Sequence, residues 1–215
     1  MIVHIFVNGP HSNWINSSFG ANDQVVIYNY RSNEDFYNLN LEGQDLSHST
    51  ALSIHWPIKF NNDFLATFKY ALNVHPGFIP IGRGTYPIFW NILENTTAGA
   101  TVHQMTSEID LGPILYRNKV ISTENDTSGS LWKKIYKLEK VLILKTLDRL
   151  FAEDKLVFCN FTENIRPART KKDFMELLNN PPSNSLTLEQ INLFRRAFTH
   201  HDYDLPPWLT NSHDH

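Results

Sequence analysis

The sequence of 215 residues has one cysteine, Cys159. A lone thiol excludes an internal disulfide framework and a multi-thiolate metal site. Positive charge is short too, with 19 Lys and Arg against 22 Asp and Glu and a formal net charge of −3. Nucleic-acid binding driven by counterion release is therefore not expected. No apolar run approaches the roughly 20 residues of a membrane span, so no membrane partner is expected. The opening MIVHIFVNGP lacks the basic start, long apolar stretch and small-residue cleavage site of a leader. A Gly-x-Ser-x-Gly nucleophile elbow is missing. Gly82 and Gly84 supply only half of a dinucleotide fingerprint, with Pro87 where its third glycine belongs. What is present is 41% hydrophobic and 19% charged residues, enough apolar material for a real core. A globular cytosolic protein is expected.

Short apolar runs alternate with helix-like segments. Met1 to Val7, Val25 to Tyr28, Ala51 to Ile54 and Ala71 to Val74 read as strands. Between the last two, Phe64, Leu65 and Phe68 recur at helical spacing, with Asn62 as the expected cap. Strand, helix, strand at this spacing is the pattern of an α/β fold with a parallel sheet. Thr85 to Leu93 reads as a helix with Pro87 in its first turn. Ala100 to Met105 and Ile114 to Ile121 read as strands around the turn Asp110-Leu-Gly-Pro113. Leu131, Ile135, Leu138, Leu142, Leu144, Leu147 and Phe151 mark one long amphipathic helix. Lysines 133, 134, 137 and 140 on this helix are read as a solvated face. The polar stretch 29–50 reads as loop with at most a short helix. Composition changes beyond residue 152, so the expected organisation is a catalytic unit over 1–151 and a small appendage over 152–215. Leu188 to Phe198, capped by Ser185 or Thr187, is the appendage's helix. The aromatic, Pro-rich tail around Trp208 suggests a homodimer contact.

Unusual side chains concentrate around Asn73-Val-His75-Pro-Gly, Arg83-Gly84, His103 and Asp110. Asn73 and His75 are two apart on a strand and project from one face. Pro76-Gly77 ends that strand at once, which puts both at its carboxyl end, where open α/β sheets bind ligands. An amide donor, an imidazole and a carboxylate meeting at one point suit acyl transfer to an amine. The imidazole takes the amine proton, the carboxylate orients the imidazole, and the amide donates to the oxyanion. His75, His103 and Asp110 match no standard metal-ligand spacing, and no metal is expected. Trp56, Tyr86, Phe89 and Trp90 flank the motif, and such rings can stack on a pterin or nucleobase.

The ordered set Asn73-Val-His-Pro-Gly-Phe-Ile-Pro-Ile-Gly-Arg-Gly-Thr-Tyr-Pro, then Gly99-Ala-Thr-Val-His-Gln-Met, then Ile109-Asp-Leu-Gly-Pro-Ile resembles the 10-formyltetrahydrofolate-dependent formyltransferases. The resemblance covers roughly residues 50–150. It implies a Rossmann-like, mostly parallel sheet flanked by helices, with 10-formyltetrahydrofolate as formyl donor beside a catalytic Asn73, His75 and Asp110. It further implies folate contacts at Ile54, His55, Trp56, Lys59, Arg83, Gly84, Met105 and Ile109. Acceptor contacts are implied at Pro76, Gly77, Phe78, Tyr86, His103 and Tyr203. The run Ser53-Ile-His55-Trp-Pro-Ile-Lys59-Phe60, the Pro-Gly after His75, the Thr-Val-His103-Gln-Met run and the Arg195-to-Tyr203 stretch are most similar to the nucleotide-sugar N-formyltransferases. The implied substrate is thus an amino sugar linked to dTDP, UDP or GDP. A formyltetrahydrofolate hydrolase, a glycinamide ribonucleotide formyltransferase and an inactive folate or nucleotide-sugar binding module are the alternatives.

Overall fold

Val3–Val7 (β1) and Thr50–Ile54 (β3) each bury all five residues in a row, the pattern of strands covered on both faces. β1 pairs in parallel with Val25–Asn29 (β2) on one side and with β3 on the other. β3 pairs in parallel with Tyr70–His75 (β4). Parallel neighbours need crossovers. A 3-10 turn at Gly9–His11 and the helix Ser12–Phe19 (α1) connect β1 to β2; Asn62–Ala66 (α2) lies between β3 and β4. Asn61, rather than the expected Asn62, caps α2: its extended backbone lets its side chain accept from Phe64 N–H at 2.8 Å. The direction then reverses, because β4 pairs antiparallel with Gly99–Gln104 (β5). With Ile114–Lys119 (β6) the strand order is β2-β1-β3-β4-β5-β6, a six-stranded, mostly parallel sheet flanked by helices.

The computed structural model describes residues 1–32, 41, 43–180, 182, 186–200 and 204–210. Residues 33–40 and 42 of the expected 29–50 loop, Ser185 and Tyr203 lie outside these. No helix among the described residues is long and apolar enough to cross a membrane.

The chain divides into two compact units. Unit 1 comprises Met1–His75, Thr101–Tyr116 and Val141–Phe161. Phe6, Trp56, Phe60 and Phe68 are buried there, with Tyr28 and Phe64 packed against them. Phe6 stacks on Tyr28 at 4.7 Å and meets Phe60 edge-on at 5.1 Å, geometries favoured by ring quadrupoles. Unit 2 comprises Pro76–Ala100, Arg117–Lys140 and Thr162–His215. Its aromatics come from helices: Pro87–Leu93 (α3), Lys171–Asn179 (α5), Leu188–Phe198 (α6) and Pro207–Thr210 (α7). Phe89 is fully buried and meets Phe174 at 5.0 Å and Phe198 at 4.8 Å. Trp208 lies edge-on to Phe194 and donates to the carbonyls of Leu177 and Leu178.

The long helix is Ser128–Phe151 (α4); its last residue, where composition places a boundary, falls inside unit 1. Leu144 is 43% exposed, off the buried stripe. Lys134 is not simply solvated, since its Nζ lies 2.7 Å from Asp126. Asp126 also accepts from Thr123 N–H at 2.8 Å and Ser130 Oγ at 2.7 Å. Burial raises the Asp126 pKa, but the Lys134, Ser130 and Thr123 hydrogen bonds outweigh it and hold the carboxyl well below the usual range. α3 starts at Pro87 rather than Thr85 because Tyr86 is left-handed, with φ +55°. α6 is capped by Thr187 in a reciprocal box with Gln190. α5 was not expected from the sequence.

Candidate functional site

The site in unit 1 follows from strand register. Asn73 lies opposite His103, and His75 opposite Thr101, across the β4–β5 pair. Cross-strand partners share a face, as do residues two apart, so all four side chains emerge on one side of the sheet. On the parallel side, Ser53 of β3 is the partner of Asn73. His75, Thr101 and His103 are buried and Asn73 is half-buried.

Asp110 reaches this face from the turn after β5. Its backbone is left-handed, with φ +50°, a conformation that Asp tolerates better than most residues. Gly112 lets the turn pass close to β5, since a Cβ there would run into the Gln104 carbonyl oxygen. Gln104 N–H donates to Pro113 O at 2.9 Å and closes the turn. The Asp110 carboxylate is buried between two imidazoles: Oδ2 is 3.6 Å from His75 Nδ1, and Oδ1 is 3.4 Å from His103 Nε2. Both separations are longer than tight hydrogen bonds, and each is a charge pair only when its imidazole is protonated; such contacts commonly shorten when substrate binds.

Tautomers follow from the fixed partners. His103 Nδ1 faces the Gln104 carbonyl at 2.9 Å; a carbonyl only accepts, so Nδ1 carries hydrogen. In the neutral ring Nε2 then accepts from Asn73 Nδ2 at 3.3 Å. Asn73 is thereby oriented and keeps a second N–H for another acceptor. The Nδ1 edge of His75 faces Asp110, so the carboxylate steadies that ring when it gains a proton. This arrangement can accept a proton and stabilise a nearby oxyanion.

Other residues singled out from the sequence are distributed differently. In unit 1, Ile54 is fully buried, and Trp56 lies inside the aromatic core, 5.6 Å from Phe6. His55 is half-buried, its ring edge-on to His11 at 5.3 Å, and Lys59 is exposed. Met105 packs on the aromatic cluster, while Ile109, next to Asp110, is 51% exposed. Pro76, Gly77, Phe78, Arg83, Gly84 and Tyr86 belong to unit 2. Phe78 is buried there beneath the Arg117 guanidinium at 4.3 Å. Tyr86 meets Phe174 at 4.3 Å. Arg83 is buried, and its Nη1 donates to Arg166 O at 2.9 Å. Spacing alone did not single out Thr101 and Ser53. Both become visible once the register is known, because they are partners of His75 and Asn73.

A family model described as formyl transferase matches residues 60–147, which contain Asn73, His75, His103 and Asp110. That segment of the chain is similar to the formyl transferase family. The dTDP-4-amino-4,6-dideoxyglucose formyltransferase of Mycobacterium tuberculosis is 30% identical over 132 residues, 61% of this chain and 56% of that protein. The chain thus spans about half the length of that relative. Among solved structures, a 4-N formyltransferase from Francisella tularensis superposes with a TM-score of 0.76 at 22% identity, covering 94% of this chain and 90% of that one. A formyltransferase from Anoxybacillus kamchatkensis, solved with UDP-4,6-dideoxy-4-formamido-L-AltNAc and tetrahydrofolate, gives 0.69 at 22% identity, covering 90% of this chain and 99% of that one. At these identities the two structures show a shared fold.

Proposed function

We propose that this chain is a formyl transferase that moves a formyl group from 10-formyltetrahydrofolate to the amino group of a nucleotide-linked amino sugar. The observation that carries the reading is the buried Asp110 carboxylate facing His75 Nδ1 on one side, with Asn73 held by His103 on the other. In this reading the Nε2 edge of His75 and the second amide N–H of Asn73 act on the reacting centre. The names of the dTDP-sugar relative and of the UDP-sugar and tetrahydrofolate complex support a nucleotide-sugar acceptor and a folate donor.

The reaction needs no covalent enzyme intermediate, because a neutral amine is already nucleophilic. As the amine nitrogen bonds to the formyl carbon, His75 Nε2 takes the proton that nitrogen sheds, and Asp110 faces the resulting imidazolium. Asn73 donates to the formyl oxygen as it becomes an oxyanion. When the bond from carbon to the donor nitrogen breaks, that nitrogen receives a proton and the formamide remains on the sugar. General acid–base help is worth about 10²–10⁴-fold and one oxyanion donor about 10²–10³-fold.

A panel of dTDP-, UDP- and GDP-linked amino sugars, incubated with 10-formyltetrahydrofolate and read by mass, tests the proposal. One acceptor should gain the mass of a formyl group in step with folate release. Folate turnover without any acceptor would identify a hydrolase, and ligand binding without turnover an inactive module; either outcome overturns the reading.

A further inference from the structure

His103 is 2% exposed, and both of its ring nitrogens are engaged within unit 1. Nδ1 holds its hydrogen against the Gln104 carbonyl at 2.9 Å. Nε2 faces two groups that make opposite demands on it. Asn73 Nδ2, at 3.3 Å, is a donor and needs Nε2 bare. Asp110 Oδ1, at 3.4 Å, only accepts when ionised and favours an Nε2 that carries hydrogen. No single protonation state of Nε2 suits both neighbours. Among the described residues, Asp110 and, across the same carboxylate, His75 are the titratable groups that face His103.

In the neutral ring, bare Nε2 holds the Asn73 amide with its nitrogen inward, and the second N–H of that nitrogen is directed away from the ring. A protonated ring reverses the demand. Nε2–H becomes a donor, Asp110 Oδ1 stands ready to accept it, and the Asn73 N–H now meets another donor. The amide can relieve this by turning about its Cβ–Cγ bond, a motion that needs little room because its two ends are nearly the same shape. Oδ1 then accepts from Nε2–H, and lone pairs stand where the second N–H was. Lone pairs repel a developing oxyanion that an N–H would hold. Register couples these two side chains directly, since Asn73 and His103 are partners across the β4–β5 pair. One carboxylate balances one imidazolium, so a proton on His103 and a proton on His75 compete for the same charge.

We propose that His103 is a positioning residue whose protonation state selects which end of the Asn73 amide is presented to the reacting centre. Neutral, it presents an N–H; charged, it presents lone pairs. The ring takes its proton from solvent and returns it there, without touching substrate. Acid thereby stops the reaction by a second route, besides protonation of His75. What Asn73 acts upon rests on the formyl-transfer reading, whereas the switch is a property of the ligand-free chain.

Proton–nitrogen NMR of the ligand-free parent tests the switch, with His103→Gln identifying the ring's signals. At the alkaline end His103 should carry hydrogen on Nδ1 and none on Nε2. As pH is lowered from about 9 to about 5, Nε2 should gain its hydrogen. The Asn73 side-chain amide signals should shift with the same midpoint. In kinetics on the accepted sugar, His103→Leu should lower kcat at least about 10-fold and leave both KM values within about 3-fold, because an oxyanion donor acts on the transition state. His103→Gln offers Asn73 an oxygen but cannot titrate. It should recover much of that loss and move the acid limb of kcat to lower pH, whereas a histidine that only filled space would leave the limb in place. A His103 Nε2 that keeps one protonation state throughout, Asn73 signals that ignore its titration, or an acid limb unchanged in His103→Gln would each overturn the proposal. The NMR readings need no substrate, so they decide the switch even where the acceptor panel defeats the formyl-transfer reading.

Discussion

In unit 1, Asn73, His75, His103 and Asp110 are brought together on short side chains whose positions are set by strand register and one closed turn. In unit 2, Glu94, Arg166 and Arg169 meet through long side chains, the two arginines about half exposed. The first group has little rotamer freedom to lose when a reacting centre arrives, which is what positioning chemistry to a fraction of an ångström requires. The second keeps more rotamer freedom, because long half-exposed guanidiniums are not fixed by the backbone. The two clusters contrast polar groups placed by the backbone with polar groups placed by long, adaptable side chains.

Substitutions can break this contrast. The largest effect should fall on unit 1's polar group. His75→Ala should cut turnover by at least about 10²-fold, and Asn73→Ala by about 10²–10³-fold, with native circular dichroism retained; initial rates on the accepted sugar measure both. Full activity in His75→Ala would remove that imidazole from the reaction. Next comes the helical core of unit 2, where Phe89→Ala should cost about 3–5 kcal/mol in urea unfolding because Phe174 and Phe198 lose their shared neighbour.

Asp126→Asn should cost about 2 kcal/mol at neutral pH, as charge-assisted bonds to Lys134, Ser130 and Thr123 weaken. The folded carboxyl titrates below its unfolded value, so its contribution is complete above the ordinary aspartate pKa of about 3.9 and declines as pH falls towards the folded one. The gap between parent and variant should close over that acid window, as denaturant titrations at stepped pH would show. Glu94→Gln should be the mildest, under about 1 kcal/mol, because its arginine partners are well solvated. A larger loss there would show that the ionic cluster also holds unit 2 together.

Legibility in the sequence followed the range of the interaction. β1 and β3 were visible because strands buried on both faces leave unbroken apolar runs. Asn73 and His75 were visible because a period of two places them on one face and Pro76 stops the strand. Asp110 was legible only as a turn residue able to close the same cleft, a reading the family resemblance strengthened, since its approach depends on a left-handed residue and on Gly112 passing close to Gln104. The alignment of His103 with Asn73 needed the antiparallel reversal of β5, which apolar patterning does not encode. α5 escaped because a nine-residue helix with one buried side chain, Phe174, carries little periodic signal. Arg166 and Arg169 meet Glu94 across 72 and 75 positions of chain, a distance over which local pattern says nothing.

The antiparallel pairing of β4 with β5 also constrains how the gene can drift in length. Removing one codon inside 70–75 or 101–104 would turn every later side chain of that strand to the opposite face, so that His103 would exchange sides with Val102. A codon gained between Gln104 and Asp110 would carry the carboxylate out of step with both imidazoles. Descendants of this chain can therefore trade residues along these stretches but not add or lose them, and indels compatible with activity belong elsewhere.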